Sequence, residues 1–357
     1  MNRAGGVTAR PVSLMMRGAR TEGGNGMLGR RGFTLGMAAA GAGVPAARAQ
    51  QQQPPSGGAA WPERSLRFLV GYPAGGPSDT FARLTGAHIA SGLGQPVVVE
   101  NRPGGGAVLA SETAARSAPD GYTLLHVDNG ILVYNPALYA RLPYDPDRDL
   151  QGVGFIGRFP LFIVVRPDNP ARDFADFVAR SRAQAPNYGT PAVASPHHLA
   201  MEMVKRRTGL QATHVPYRGG PAAMQDLLAR QVDSVMIDCA TGIPFLASGR
   251  ARALCVLGDA RSPRASEVPT LRELGVADAV AYGWQGVAVP SGVPAPVVAR
   301  LAEALRAAVA ADDVRGRFET LGIESAAWSP AEFEAFVRRE NAEWRPLIRD
   351  LGIRLDS

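Results

Sequence analysis

Leu66-Arg-Phe-Leu-Val-Gly-Tyr-Pro-Ala-Gly-Gly-Pro-Ser-Asp79 is the stretch on which the fold turns. Leu66 to Tyr72 is a short apolar run rich in strand-forming residues, and it predicts a buried strand. Pro73 to Pro77 cannot continue a strand, and Ser78 or Asp79 then predicts the cap of a helix from Thr80 to about Ser91, which Gly92, Gly94 and Pro96 end. Val97 to Glu100 reads as the next strand, Ala107 to Ser117 as the next helix and Tyr122 to Asp128 as a third strand. Strands alternating with helices at this spacing predict a parallel sheet with right-handed crossovers, whose ligands bind at the carboxyl ends of the strands.

The pattern repeats downstream. Leu161 to Arg166, Tyr188 onward, Thr213 to Pro216, Val232 to Asp238, Ala253 to Leu257 and Trp284 to Val289 are expected strands. Phe174 to Ala183, His197 to Thr208, Pro221 to Arg230 and Ala295 to Ala311 are expected helices, and Trp328 to Trp344 a surface helix. Two α/β lobes fit this order better than one large sheet. The edge loops of the first lobe are Pro73 to Ser78, Asn101 to Gly106 and Asn129 to Asn135. Those of the second are Gly189 to Pro196, Tyr217 to Gly220 and Asp238 to Gly242. Tyr72-Pro-Ala-Gly-Gly-Pro77 and Tyr217-Arg-Gly-Gly-Pro221 each follow a strand and precede a helix. Glycine pairs let backbone N–H groups approach a ligand, and a helix N-terminus favours an anion, so two such loops point to a carboxylate or phosphate clamp.

The chain has 357 residues, with 38 Lys plus Arg against 32 Asp plus Glu. Residues 1–49 hold seven of those basic residues, all arginine, and one acid, Glu22. Setting them aside leaves 31 basic and 31 acidic residues, so the net charge of +6 belongs to the leader and gives no reason to expect a nucleic acid partner. From Met27, an arginine pair, a mildly apolar Phe33 to Ala47 stretch and Ala47-Arg48-Ala49 follow the order of an export signal. Arg30-Arg31-Gly32-Phe33 suits the twin-arginine route. Cleavage is expected near Gln50, with 50–61 a Pro/Gly-rich lead-in. Only Cys239 and Cys255 occur, both in apolar strand sequence where a buried thiol is the simpler reading than a disulfide.

Several chemistries are weighed and set aside. Gly152-Val-Gly-Phe-Ile-Gly157 matches GxGxxG but precedes an apolar stretch instead of opening a helix, so it fails as a dinucleotide site. Lys205 is the only lysine. The five histidines show no metal spacing. Ser195, His197, His198 and Asp238 can be drawn as nucleophile, base and orienter, but Ser195 reads more simply as a helix cap. No cofactor is expected.

Val99-Glu-Asn-Arg-Pro-Gly104, Ala118-Pro-Asp-Gly-Tyr-Thr-Leu124, Leu142-Pro-Tyr-Asp-Pro146, His214-Val-Pro-Tyr-Arg-Gly-Gly220 and Val289-Pro-Ser-Gly-Val-Pro294 appear in this order. The set closely resembles the Bug/TctC family, the extracytoplasmic solute receptors of tripartite tricarboxylate transport systems, over Leu66 to Ile353. The resemblance implies a two-lobed periplasmic-binding-protein fold that closes on a small organic acid: a di- or tricarboxylate, an acidic amino acid or an aromatic acid. It implies a monomeric periplasmic receptor, not an enzyme, with a membrane transporter as partner. Lobe one is expected over 62–165 plus 287–357 and lobe two over 166–286, hinged near Val164 to Pro167 and Gly286 to Pro290. Family members hold carboxylates through loop amides and hydroxyls. Carried over, Tyr72, Ala74, Gly75, Gly76, Ser78 and Asp79 form one jaw, and Thr190, Ala192, Ser195, His198, Tyr217, Gly219 and Asp238 the other, with Asn129 at the floor. Rival readings are a periplasmic hydrolase using Ser195 and His198, and a ligand-sensing partner of a signalling receptor. Two departures stand out. Tyr72-Pro73-Ala74 replaces the usual start of the first loop, with the amide geometry expected to survive. Ala192 and Ala194 replace glycines, where a methyl narrows the site or prevents positive φ.

Overall fold

The computed structural model describes residues 61–355. The expected leader with its export signal and most of the expected lead-in lie outside those residues. Nine strands form one mixed sheet in the order β2-β1-β3-β9-β4-β7-β5-β6, with β8 also paired to β4. They are β1 Leu66–Val70, β2 Val97–Asn101, β3 Thr123–Asp128, β4 Leu150–Val165, β5 Asn187–Thr190, β6 Thr213–Pro216, β7 Ser234–Asp238, β8 Arg252–Val256 and β9 Tyr282–Pro290. The helices are α1 Pro77–Leu93, α2 Val108–Ala115, α3 Asn135–Leu138, α4 Pro146–Asp149, α5 Phe174–Ser181, α6 Pro196–Thr208, α7 Gly220–Leu228, α8 Cys239–Ala247, α9 Ala295–Ala310, α10 Asp312–Leu321 and α11 Pro330–Leu351.

Two strands tie the lobes together. β4 pairs with β9 from Leu150 to Pro160, then exchanges it for β7 and β8 from Leu161 onward. The switch lies at Pro160–Leu161 on β4 and at Tyr282 on β9, a few residues before the crossings expected from sequence. Apolar periodicity marks a long strand but carries no sign of where its partner changes.

Strand direction fixes the cleft. β9 runs antiparallel to both β3 and β4, so β4 runs the same way as β1 and β3, towards the second lobe. β7 is antiparallel to β4, and β5 and β6 are parallel to β7. The carboxyl ends of β1 and β3 therefore face those of β5, β6 and β7 across the crossing strands.

Packing differs between the two sides of the sheet. On one side a continuous core runs through both lobes, from Leu69 and Leu125 through Phe155 and Trp284 to Tyr188 and Leu199. On the other, Phe68, Phe81 and Leu301 fill a core in the first lobe and Phe162, Met224 and Ile237 a separate core in the second. Helix α11 extends to Leu351 and buries Phe333, Trp344 and Ile348, so the expected surface helix contributes to the shared core. Its mixed charge pattern hides an apolar stripe.

Gly152 to Gly157 lies inside β4, where each glycine lets another element approach. A Cβ at Gly152 would stand 2.9 Å from the Phe333 ring, at Gly154 3.1 Å from Leu305, and at Gly157 2.8 Å from Ile323. The run serves helix-on-sheet packing. Cys239 and Cys255 are buried, free thiols.

Candidate functional site

The first jaw is the β1–α1 connection. Gly75 has φ +79°, a value open to glycine at little cost, and it lets Pro73–Gly76 turn back on itself. Asp79 organises the loop: one carboxylate oxygen accepts from Gly75 N–H and from Arg83 Nε, both at 2.9 Å, and the other from Asn101 Nδ2 at 2.9 Å. The Arg83 bond, helped by the Gly75 amide and Asn101, holds this acid down at about 2. Asp79 and the Gly75 amide are thus committed to each other. Tyr72 donates its hydroxyl to Asp128 at 2.5 Å and its carbonyl accepts from Asn101. Ala74 and Gly75 are exposed, and Gly76 caps α1 by its backbone alone, without a side-chain cap. Ser78, in the first turn, is buried with Oγ 3.3 Å from Gln285 Oε1.

Asn129 follows β3 and is 1% exposed. Its Nδ2 donates to Tyr282 O and to the Tyr134 hydroxyl, each at 3.1 Å, while its Oδ1 accepts Trp284 N–H at 2.9 Å. It ties the end of β3 to the crossing strand β9, and these bonds occupy its amide.

The second jaw is built around two histidines. Thr190 ends β5 fully buried, its hydroxyl 2.7 Å from His214 Nε2 and 3.1 Å from Ala192 O. His198 and His214 stack at 3.7 Å between ring centroids, 11° from parallel. His198 Nδ1 accepts Ala194 N–H at 3.0 Å. Burial, reinforced by His214, lowers His198 to about 4, so it is neutral at neutral pH. Ala194 has φ +56°. The methyl at this position does not prevent positive φ: the His198 bond holds the alanine there at some conformational cost.

Ser195 caps α6, its Oγ accepting His198 N–H at 3.3 Å and donating to Ala192 O at 2.8 Å. With Ser195 so engaged and His198 Nδ1 filled by a backbone amide, the nucleophile–base pair drawn in sequence is not assembled. Asp238 likewise caps a helix, α8, through Thr241 N–H at 2.9 Å, where a loop over Asp238 to Gly242 was expected. His197 Nε2 stands 3.4 Å from Asp238 Oδ2 without hydrogen-bond geometry. Tyr217 points its hydroxyl away to Asp226 at 2.9 Å, and its N–H bonds Thr190 O. Gly219, at φ +109°, donates its N–H to Pro191 O and starts α7 with no side-chain cap.

One contrast emerges among the helices that start at the facing edges. Ser195 and Asp238 satisfy the starts of α6 and α8 internally, whereas α1 and α7 begin at Gly76 and Gly219 with no side-chain acceptor. First-turn amides left in this way, with the positive end of the helix dipole behind them, suit an anion. Gln285, the polar residue of an otherwise apolar β9, joins this edge through Ser78, and sequence reasoning passed over it. Its one signal was a lone amide side chain between Trp284 and Gly286.

Residues 81–353 match the family described as the tripartite tricarboxylate transporter family receptor. Among solved structures, the chain is similar to Rpa4515 of R. palustris with adipate at 30% identity, covering 83% of this chain and 100% of that one, with a TM-score of 0.73. MatC (Rpa3494) from Rhodopseudomonas palustris with bound malate is 31% identical, over 81% of this chain and 100% of that one, at a TM-score of 0.71. The periplasmic binding protein BugD is 30% identical, over 83% of this chain and 100% of that one, also at 0.71.

Proposed function

The chain belongs to the tripartite tricarboxylate transporter receptor family, and on that premise we propose that it captures a small carboxylate-bearing organic acid in the periplasm by lobe closure and delivers it to a tripartite-type membrane transporter. Proteins of this family are binding proteins, not enzymes. Relatives carry adipate or malate, which supports a carboxylate as the ligand class here.

The observation that carries the reading is the pair of uncapped glycine starts, Gly76 of α1 and Gly219 of α7, on facing lobe edges. An acid with two carboxylates offers one to each helix. Each such dipole contact contributes roughly 0.3 to 2 kcal/mol, and closure that excludes water strengthens it. Binding rests on neutral donors, consistent with a body whose charges cancel. Tyr72, Ala74, Gly75, Gly76 and Ser78 form the first jaw in this reading, with Asp79 holding their loop. Thr190, Ala192, Ser195, His198, Tyr217 and Gly219 form the second, with Asp238 shaping its edge and Asn129 bracing the floor. The lobes take 62–160 with 282–355 and 161–281, a few residues short of the limits expected from sequence, and hinge on β4 and β9, with the motion concentrated at Pro160–Leu161 and Tyr282. Export uses the signal within 27–49, and the receptor works as a monomer.

Isothermal calorimetry of the mature chain against adipate, malate, citrate, glutamate and benzoate tests this. At least one acid should bind without turnover. Silence across every acid class would reject it.

A further inference from the structure

His126 is the least explained polar group of the first lobe. It lies on β3 with no exposed surface, and neither ring nitrogen makes a hydrogen bond of acceptable geometry. Burial lowers it to about 4, so the ring is neutral at neutral pH and carries one N–H that needs an acceptor. An unmet buried donor costs about 1–3 kcal/mol.

The sheet register shows what is near. His126 is paired with Val287 on antiparallel β9, so Gln285, two residues earlier, shares its face as a diagonal neighbour within reach of long side chains. Gln285 meets Ser78 through its side-chain amide, and the register sets it beside the His126 ring. Leu124, Val287 and Phe81 of α1 line the same side of the sheet. The three polar groups thus run from the sheet interior to the first turn of α1, each less than 10% exposed.

The amide of Gln285 has two settings related by a half-turn. With Oε1 towards Ser78, the serine proton is spent on glutamine and Nε2 can reach only the bare nitrogen of His126, which leaves the ring N–H unmet. With Nε2 towards Ser78, Oε1 accepts the His126 N–H, Nε2 donates to Ser78 Oγ, and the serine proton is left over. Only the second setting gives the ring N–H an acceptor on Gln285, and a buried unmet donor is the costlier loss. We propose that His126 and Gln285 are positioning residues that hold Ser78 as a hydrogen-bond donor to the ligand, so that the α1 jaw selects an acceptor group, an ionised carboxylate, over its amide. This rests on the carboxylate reading above. Ser78 Oγ then has one of its two lone pairs engaged by Gln285 and its proton free, and an ionised carboxylate accepts that proton more strongly than the neutral carbonyl of an amide does.

The test has two arms on the mature chain. Five histidines keep a ring 15N–1H spectrum simple. His126 should show one neutral tautomer with a slowly exchanging N–H that shifts in Gln285→Leu. In calorimetry with adipate and malate, Ser78→Ala and Gln285→Leu should each lower affinity about tenfold, the loss of one charge-assisted bond. The double variant should lose no more, and His126→Gln should retain affinity that His126→Leu loses. A His126 signal indifferent to Gln285→Leu, or additive losses, overturns the proposal. If no acid binds the wild-type chain, the carboxylate reading itself falls, and the ring signal alone then decides whether the relay exists.

Discussion

The Glu340 carboxylate accepts the indole N–H of Trp284 at 3.0 Å, joining helix α11 to the crossing strand β9 beside its partner switch. Asn129, which braces β3 against that strand, reaches the same oxygen at 3.5 Å. One half-buried acid therefore holds three elements that meet where the lobes join.

That acid has a pH signature. Burial raises Glu340 from 4.5 to about 7, so its charged form is disfavoured in the folded chain. The penalty is absent below about pH 4.5 and grows as pH rises towards 7, so stability falls across that window. Glu340→Gln keeps an acceptor for Trp284 without the charge. It should unfold at the same midpoint as wild type at pH 4 and be more stable by on the order of 2 kcal/mol at pH 8. Thermal melts at both values check this; equal midpoints at pH 8 would show that the acid is solvated.

Asp79 has the opposite sign. Its folded-state pKa is held at about 2 by Arg83, Gly75 and Asn101, below its ordinary 3.8. The stabilisation is present above about pH 4 and is lost as pH falls to 2. Asp79→Ala should cost about 2 kcal/mol at pH 7 and weaken acid binding by loosening Pro73–Gly76. Urea titrations should find the gap between variant and wild type closing on acidification.

Ser195→Ala removes the α6 cap and should lower stability by about 1 kcal/mol. It should leave ester and amide substrates untouched, as they are in wild type. Turnover by wild type that this substitution abolishes would restore the hydrolase reading.

Gly157→Ala places a methyl 2.8 Å from Ile323 and 3.2 Å from the Glu324 carbonyl. It should destabilise by about 1–3 kcal/mol through overpacking. Gly316, within α10, has nothing within 4 Å of its would-be Cβ. There alanine should stabilise by nearly 1 kcal/mol, because glycine is the poorer helix former. Chemical denaturation of the two variants should move in opposite directions.

The alternation of strand, glycine loop and helix was legible in the sequence because period and turn chemistry are local. Leu66–Val70 and Thr213–Pro216 declare themselves as strands, and Gly75, Gly76, Gly219 and Gly220 as the loops after them. The helix of Cys239–Ala247 was missed, because Asp238 reads equally as a turn residue and as a cap until its oxygen is seen on Thr241 N–H.

What only the tertiary structure decided is which of these local features remain available to a ligand. Sequence read Ser195 as a cap, but it could not show that Asp238 caps α8 or that Asp79 is spent on Gly75, Arg83 and Asn101 while α1 and α7 start bare. Nor could it show that Ala194 sits at positive φ, or that β4 changes partner between Pro160 and Leu161. Local patterning sets backbone conformation through φ/ψ preference and hydrophobic period. The spending of each donor and acceptor depends on neighbours far apart in the chain, such as Ser78 and Gln285, which only the folded sheet brings together.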